Sequence, residues 1–250
     1  MTTSSVIAAL QLPADARVDQ RVPKKLLVEN GAPTAADKRQ INDGIEELQW
    51  LAALKPATIG VPIFRDNTRE YLEIAVLSLS LRAGAKAPRL TELIHRAIPY
   101  PVFLVQSQPT GLAFSLAHIR WSHGQAGQTV LDSPPITANV DAEHSATGDF
   151  LASLALTDQP RQHLYALYQG WIELFEAHAA ARHTGKFAPS ADPIAAERRR
   201  AALVERERLS REIGSLRACA AKEKQLNRRV ELNLEIKRLE ATLVETTKSL

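Results

Sequence analysis

The sequence predicts an α+β fold: a mixed β-sheet with flanking helices, followed by a long helical, coiled-coil-like C-terminal segment. Three observations carry this reading. β signals follow one another between Ala57 and Val140, the strongest at Tyr71 to Leu81, which is rich in Leu, Ile and Val. Helical apolar periodicity flanks them on both sides. From Ile194 to Lys248 the chain has one glycine and no proline, so nothing interrupts a helix there.

In chain order, Met1 to Leu10 hold no basic cluster and one short apolar stretch, Val6 to Leu10, so no signal peptide is expected. Leu10 to Glu29 is broken by proline and reads as an extended arm or short strand around Pro23-Lys24-Lys25-Leu26-Leu27-Val28. Thr34 is placed to cap a helix, with Asp37 three residues on as a variant capping box. That helix is expected over Ala35 to Leu54, with Ile41, Ile45, Leu48, Leu51 and Ala52 on one stripe and Pro56 as its stop. Ala57 to Phe64 reads as a short strand. Tyr71 to Leu81 reads as a central one, with a bulge near Leu77, where the apolar positions change parity. Arg89 to Ala97 is a short helix between Pro88 and Pro99. Pro101 to Gln106 and Gly111 to Trp121 form a hairpin through Gln108-Pro109-Thr110-Gly111, and Gln128 to Leu131 and Ile136 to Val140 are weaker strands. Phe150 to Leu156 is a short helix, and Pro160 opens a longer one to about His183.

These elements divide the chain into an α+β domain over 1–185, a linker over 186–193 marked by Pro189 and Pro193, and a basic helical tail over 194–250. In the tail, Leu209, Ile213, Leu216 and Ala220 step by 4, 3, 4, as do Leu232, Ile236, Leu239 and Leu243. At about 100° per residue the second seam is rotated roughly 140° from the first. One straight helix cannot present both to a single partner. Either the tail folds back as a hairpin near Cys219 to Gln225, the preferred reading, or it makes two different contacts, including a possible homodimer.

Charge narrows the partners. The net charge is +3, but from Ile194 onward 14 Lys+Arg face 9 Asp+Glu, so the basicity belongs to the tail. Arg198, Arg199 and Arg200, with Lys222, Lys224, Arg228 and Arg229, are candidate nucleic-acid contacts; Lys/Arg mixed with Glu is also the ordinary composition of a solvated helix face. The tail has no aromatic residue for stacking bases, so any contact would be to backbone phosphate and salt-dependent. Nowhere do about 18 apolar residues run together, so no membrane span is expected. The one cysteine, Cys219, excludes an internal disulfide and fits a reducing, cytoplasmic setting.

No motif assigns a catalytic activity, and a non-enzymatic role is preferred. A metal-dependent nuclease core needs an acidic residue and then acid-x-Lys on the next strand, because carboxylates hold Mg²⁺ and lysine orients water. Asp66 and Glu73 have that layout and make a divergent metal-dependent nuclease the alternative reading, yet two residues after Glu73 stands Ala75. Glu92 and His95 have an i, i+3 metal spacing without a second copy, and His118, His123, His163, His178 and His183 are scattered, so no metal site is assigned. Ser115 follows Gly111 without the second glycine of a nucleophile elbow, and Cys219 has Lys222 nearby but no histidine. Phosphate-binding loops are absent and no cofactor is expected.

Several segments together resemble a bacterial family, domain-of-unknown-function family 4391. They are Val22-Pro23-Lys24-Lys25, Ile45-Glu46-Glu47-Leu48-Gln49-Trp50 with Leu54, Tyr71-Leu72-Glu73-Ile74, Ile98-Pro99-Tyr100-Pro101, and the stretch from Lys222 to Asn233 that ends Val-Glu-Leu-Asn. The resemblance spans nearly the whole chain. It implies an accessory subunit, since similar proteins are encoded beside helicases and DNA methyltransferases in restriction-modification-like or phage-defence clusters. It carries over no catalytic residue. On this expectation the domain docks on a larger protein such as a helicase or DNA methyltransferase, with contacts near Ile98 to Tyr100 and along Leu232, Ile236, Leu239 and Leu243.

Overall fold

The computed structural model describes residues 2–108, 111–124, 127–190 and 192–250. The chain divides into two compact units, Met1–Phe175 and Glu176–Leu250. The division falls inside a helix rather than at 186–193. Of the expected linker, 186–190 and Asp192 run as irregular chain, Pro193 already opens the next helix, and position 191 lies outside the described residues.

In the first unit α1 (Thr3–Ala9) precedes β1 (Arg17–Arg21), α2 (Lys24–Gly31), α3 (Ala35–Gly44), β2 (Ile45–Leu54) and the single turn α4 (Pro56–Ile59). β3 (Phe64–Arg65), β4 (Glu70–Tyr71), β5 (Ile74–Leu81), α5 (Ala87–Ala97), β6 (Val102–Gln108) and β7 (Gly111–Leu116) follow. β8 (Ile119–Trp121), β9 (Thr129–Leu131), β10 (Ile136–Val140), α6 (Thr147–Ser153) and α7 (Leu164–Thr184) complete it, α7 running on into the second unit. Six strands form one sheet in the order β1-β2-β5-β6-β7-β10. Its one parallel pair, β5 with β6, is joined through α5, so the fold is α+β with a mixed sheet.

The sheet is covered on both faces. On one, Leu27 of α2, Ile41 of α3 and Leu90, Leu93, Ile94 and Ala97 of α5 pack against Ile45, Leu48, Leu77, Leu79 and Leu104. On the other, Phe103 and Phe114 meet Trp171 and Phe175 of α7, with Phe103 to Trp171 ring centroids 4.9 Å apart. Adjacent residues Phe103 and Leu104 thus point to opposite layers, as the strand period requires. Gly31 permits the crossing of α2 on α5, because a Cβ there would lie 2.7 Å from Ala97 Cβ and from Leu93 O.

Four local expectations are corrected. The helix from Thr34 ends at Gly44, and Ile45–Leu54 is a strand. Its apolar spacing imitates a helix because two register shifts, at Ile45/Glu47 and Trp50/Ala52, each insert a residue. Those insertions stretch the alternation so that buried Ile45, Leu48 and Leu51 fall three apart. The bulge expected near Leu77 is there, but in β2 opposite it; β5 needs none, since Ile74 to Leu77 are buried on both faces. Lys24–Gly31, read as extended, is helical, with Lys24 Nζ donating to the carbonyls of Asn42 (2.9 Å) and Ile45 and so capping the end of α3. Residues 56–59 are a helical turn with Pro56 at its start and Gly60 at φ 65° closing it.

The Thr34 cap forms as expected: its hydroxyl oxygen accepts from Asp37 N–H at 3.1 Å. The β6–β7 hairpin pairs Gln108 with Gly111; Pro109 and Thr110 of the expected turn lie outside the described residues. The second long helix begins at Leu164, with Pro160 folded back against Gly170 rather than opening it. In the second unit α8 (Pro193–Lys222) and α9 (Leu226–Lys248) are separated by Glu223-Lys224-Gln225, where the Glu223 carboxylate accepts from Gln225 N–H at 2.8 Å. Ile213, Leu216 and Ala220 of α8 pack on Leu232, Ile236, Leu239 and Leu243 of α9.

Candidate functional site: a cleft beside α5 and a helical hairpin

α5 carries two polar side chains on its buried stripe, Thr91 and His95. The Thr91 hydroxyl lies 2.8 Å from Ala87 O and 3.1 Å from Gln106 Oε1, and Gln106 Nε2 donates to Ser115 Oγ at 3.2 Å. Ser115 Oγ lies 2.9 Å from His95 Nε2. With its oxygen already accepting from Gln106, the Ser115 hydroxyl donates to a neutral imidazole. Burial pushes the His95 pKa down to about 3, which keeps the ring neutral. Ser115 has no exposed surface. The Ser–His pair therefore ties α5 to the sheet instead of presenting a nucleophile.

The other side of α5 opens on three adjoining cavities of about 300, 570 and 600 Å³, and Arg96 lines all of them. The opposite wall is the β8–β9 ribbon, whose Gln128 to Leu131 line the first cavity and Leu131 and Asp132 the third. Glu29 to Pro33, at the end of α2, close one end. Tyr100 and Trp121 line the middle cavity, and Trp50 packs edge-on against Tyr100 with ring centroids 6.4 Å apart. Glu92 and Asp132, which line the third cavity, are held by arginines, whereas Glu29, which lines the first two, pairs with Lys25. Glu92 bridges Arg89 (2.8 Å) and Arg96 (3.1 Å), and Asp132 lies 3.3 Å from both Arg69 and Arg120. Asp37, clamped by two Arg89 bonds of 2.8 and 2.9 Å and by the Thr34 hydroxyl, is held at a pKa of about 2.

The nuclease candidates take other roles. Asp66 Oδ1 accepts from Thr68 N–H, the Thr68 hydroxyl and Arg69 N–H, all within 2.8 Å, so it builds the β3–β4 turn, and the Thr68 bonds lower its pKa. Glu73 lies half-buried between β4 and β5, its pKa raised by burial. Among the described residues no three His, Cys, Asp or Glu side chains gather as a metal site would require. His118 is fixed by Tyr71, whose hydroxyl donates to Nδ1, and by Gln169 Oε1, which accepts from Nε2 at 2.9 Å.

The basic candidates separate into two groups. Arg199 is buried and donates to Ala188 O at 2.6 Å, and Arg200 pairs with buried Glu176 at 2.6 Å; Arg198 alone of this run is exposed and unpaired among the described residues. Lys222, Lys224, Arg228 and Arg229 surround the exposed α8–α9 turn. Only Arg228 of these four has an ion-pair partner among the described residues, Glu231. The proposed partner residues Leu232, Ile236, Leu239 and Leu243 face α8. The outward face of α9 carries Leu226, Val230, Leu234 and Val244 instead, between 48 and 63% exposed.

Sequence reasoning passed over this outward stripe, Arg96 and the free side of β9. Leu226, Val230 and Leu234 step by four and were readable; the cleft joins segments that only the fold brings together. No helix among the described residues is long and apolar enough to cross a membrane. No curated protein and no solved structure matches the chain. A family model, described as Domain of unknown function (DUF4391), matches residues 10–243. The chain belongs to that family, whose match takes in the sheet, the cleft and nearly all of the hairpin.

Proposed function

We propose that the protein is a non-enzymatic, cytoplasmic accessory subunit that docks on a larger DNA-acting protein, such as a helicase or DNA methyltransferase, in a restriction-modification-like or phage-defence complex. The observation that carries this reading is the outward stripe of α9. The inner seams of α8 and α9 already cover each other, yet Leu226, Val230, Leu234 and Val244 remain exposed within about 80° of one helix face. Apolar side chains grouped in this way mark a contact surface of the coiled-coil kind. Affinity isolation of the tagged protein from its native cell should return a stoichiometric DNA-acting partner. Val230→Glu with Leu234→Glu should release it while leaving the hairpin helical by circular dichroism. A monomer with no stoichiometric partner would overturn the reading.

The hairpin tip supports a second reading, contact with a nucleic-acid backbone. Arg228 and Arg229 lie in the first turn of α9, where positive charge opposes the helix dipole, and among the described residues no side-chain bond caps that turn at Gln225. Reversing Lys222, Lys224 and Arg229 to Glu should abolish duplex binding. The salt dependence of the wild type should correspond to about three phosphate contacts. Binding unchanged by the reversal would remove this reading.

A further inference from the structure

Resting on the docking-subunit reading, we infer that the cleft beside α5 receives an extended segment of the partner, which adds as a third strand to β9 and sets an acidic side chain against Arg96. The hydrogen-bond phase of the β8–β9 ribbon fixes which of its backbone groups point outward. Asp132 N–H donates to His118 O at 2.9 Å and Ser122 N–H to Gln128 O at 2.8 Å. The register pairs Ile119 with Leu131, Arg120 with Val130 and Trp121 with Thr129. In an antiparallel pair, bonded and non-bonded positions alternate, so Val130 is directed at β8, while the N–H and C=O groups of Thr129 and Leu131 point away from it.

The same rule turns Trp121 outward on the other strand, and its N–H donates to Thr68 O at 2.7 Å. One edge of the ribbon is thus closed by the β3–β4 turn. The other is open: no described residue bonds the outward backbone groups of Thr129 or Leu131. Both residues line the cavities that Arg96 lines.

An open row of donors and acceptors beside a cleft matches an extended polypeptide backbone better than it matches a small molecule. Two further features favour a peptide. Val130 and Leu72 leave 36 and 39% of their surface exposed there, offering apolar contact to alternate side chains. Arg96 is exposed and, among the described residues, uses only Nη1, on Glu92, so Nε and Nη2 are free for a carboxylate. The tie from His95 through Ser115 and Gln106 holds α5 in place, so the cleft is formed before the segment arrives.

The test uses the full chain and a phage-displayed library of random short peptides. Wild type should enrich sequences with β-branched or aromatic residues at alternate positions and Asp or Glu at one fixed place. Leu131→Pro removes an outward N–H without breaking a bond to β8, so the ribbon survives; peptide binding should drop at least tenfold. Arg96→Gln should erase the acidic preference alone. Hydrogen exchange should show the Thr129 and Leu131 amides protected by an enriched peptide. Failure to enrich peptides, or enrichment untouched by Leu131→Pro, overturns this inference. If the native partner still co-isolates in that event, the docking reading stands and only this site falls.

Discussion

Phe103→Ala should lower the unfolding free energy by about 3–5 kcal/mol, the range for emptying a fully buried aromatic site. Phe103 has no exposed surface and sits among Phe114, Trp171 and Phe175 at ring-centroid distances of 5.5, 4.9 and 5.8 Å. These contacts join β6 to β7 and to α7, so one truncation opens a cavity between two layers. Phe103→Leu, which keeps most of the volume, should cost less than half as much. Urea unfolding followed by tryptophan fluorescence measures both. A loss under about 1 kcal/mol for the alanine variant would mean that α7 does not pack on this face of the sheet.

The second large effect is a dependence of stability on pH that originates in His95. Its pKa is about 3 in the folded chain against an ordinary 6.5, so between these values the unfolded chain binds the extra proton. The contribution is therefore complete above about pH 6.5. It falls as pH drops toward 3, at up to about 1.4 kcal/mol for each pH unit. Asp37 acts with the same sign lower down. Its pKa of about 2 against 3.8 means that its contribution is present above 3.8 and is lost as pH falls toward 2. His95→Gln removes the first titration while keeping a group that can bond Ser115. Urea midpoints at about pH 7 and about pH 5 should therefore separate for the wild type and stay closer together for the variant. Parallel shifts in both proteins would show that His95 is hydrated or protonated in the fold. The same protonation would disturb the wall of the cleft, because His95 also lines the first cavity.

The segments most easily read from the sequence were those in which one local rule acts alone. Thr34 caps its helix because its hydroxyl and Asp37 need only three residues of local chain. α5 is bracketed by prolines, and its 3.6-residue stripe of Leu90, Leu93, Ile94 and Ala97 has no competing reading. The tail reads as helix for want of breakers, and the angle between its seams already called for a hairpin or for two different contacts. Local pattern misleads where a tertiary partner rewrites a period. Ile45–Leu54 carries a helical spacing, but its edges are filled by β1 and β5, and bulges absorb the mismatch.

Length, composition and local periodicity thus determined the α+β class, the main helices and the separate basic hairpin sequence, because each depends on neighbours within a few turns of chain. Only the tertiary structure decided which apolar stripes are covered and which remain open. Leu232 and Leu234 lie two residues apart in one helix, yet one faces α8 and the other solvent. It alone also brought Arg96, Tyr100 and the free edge of β9 around one cleft, since their juxtaposition rests on long-range strand pairing that no local pattern encodes.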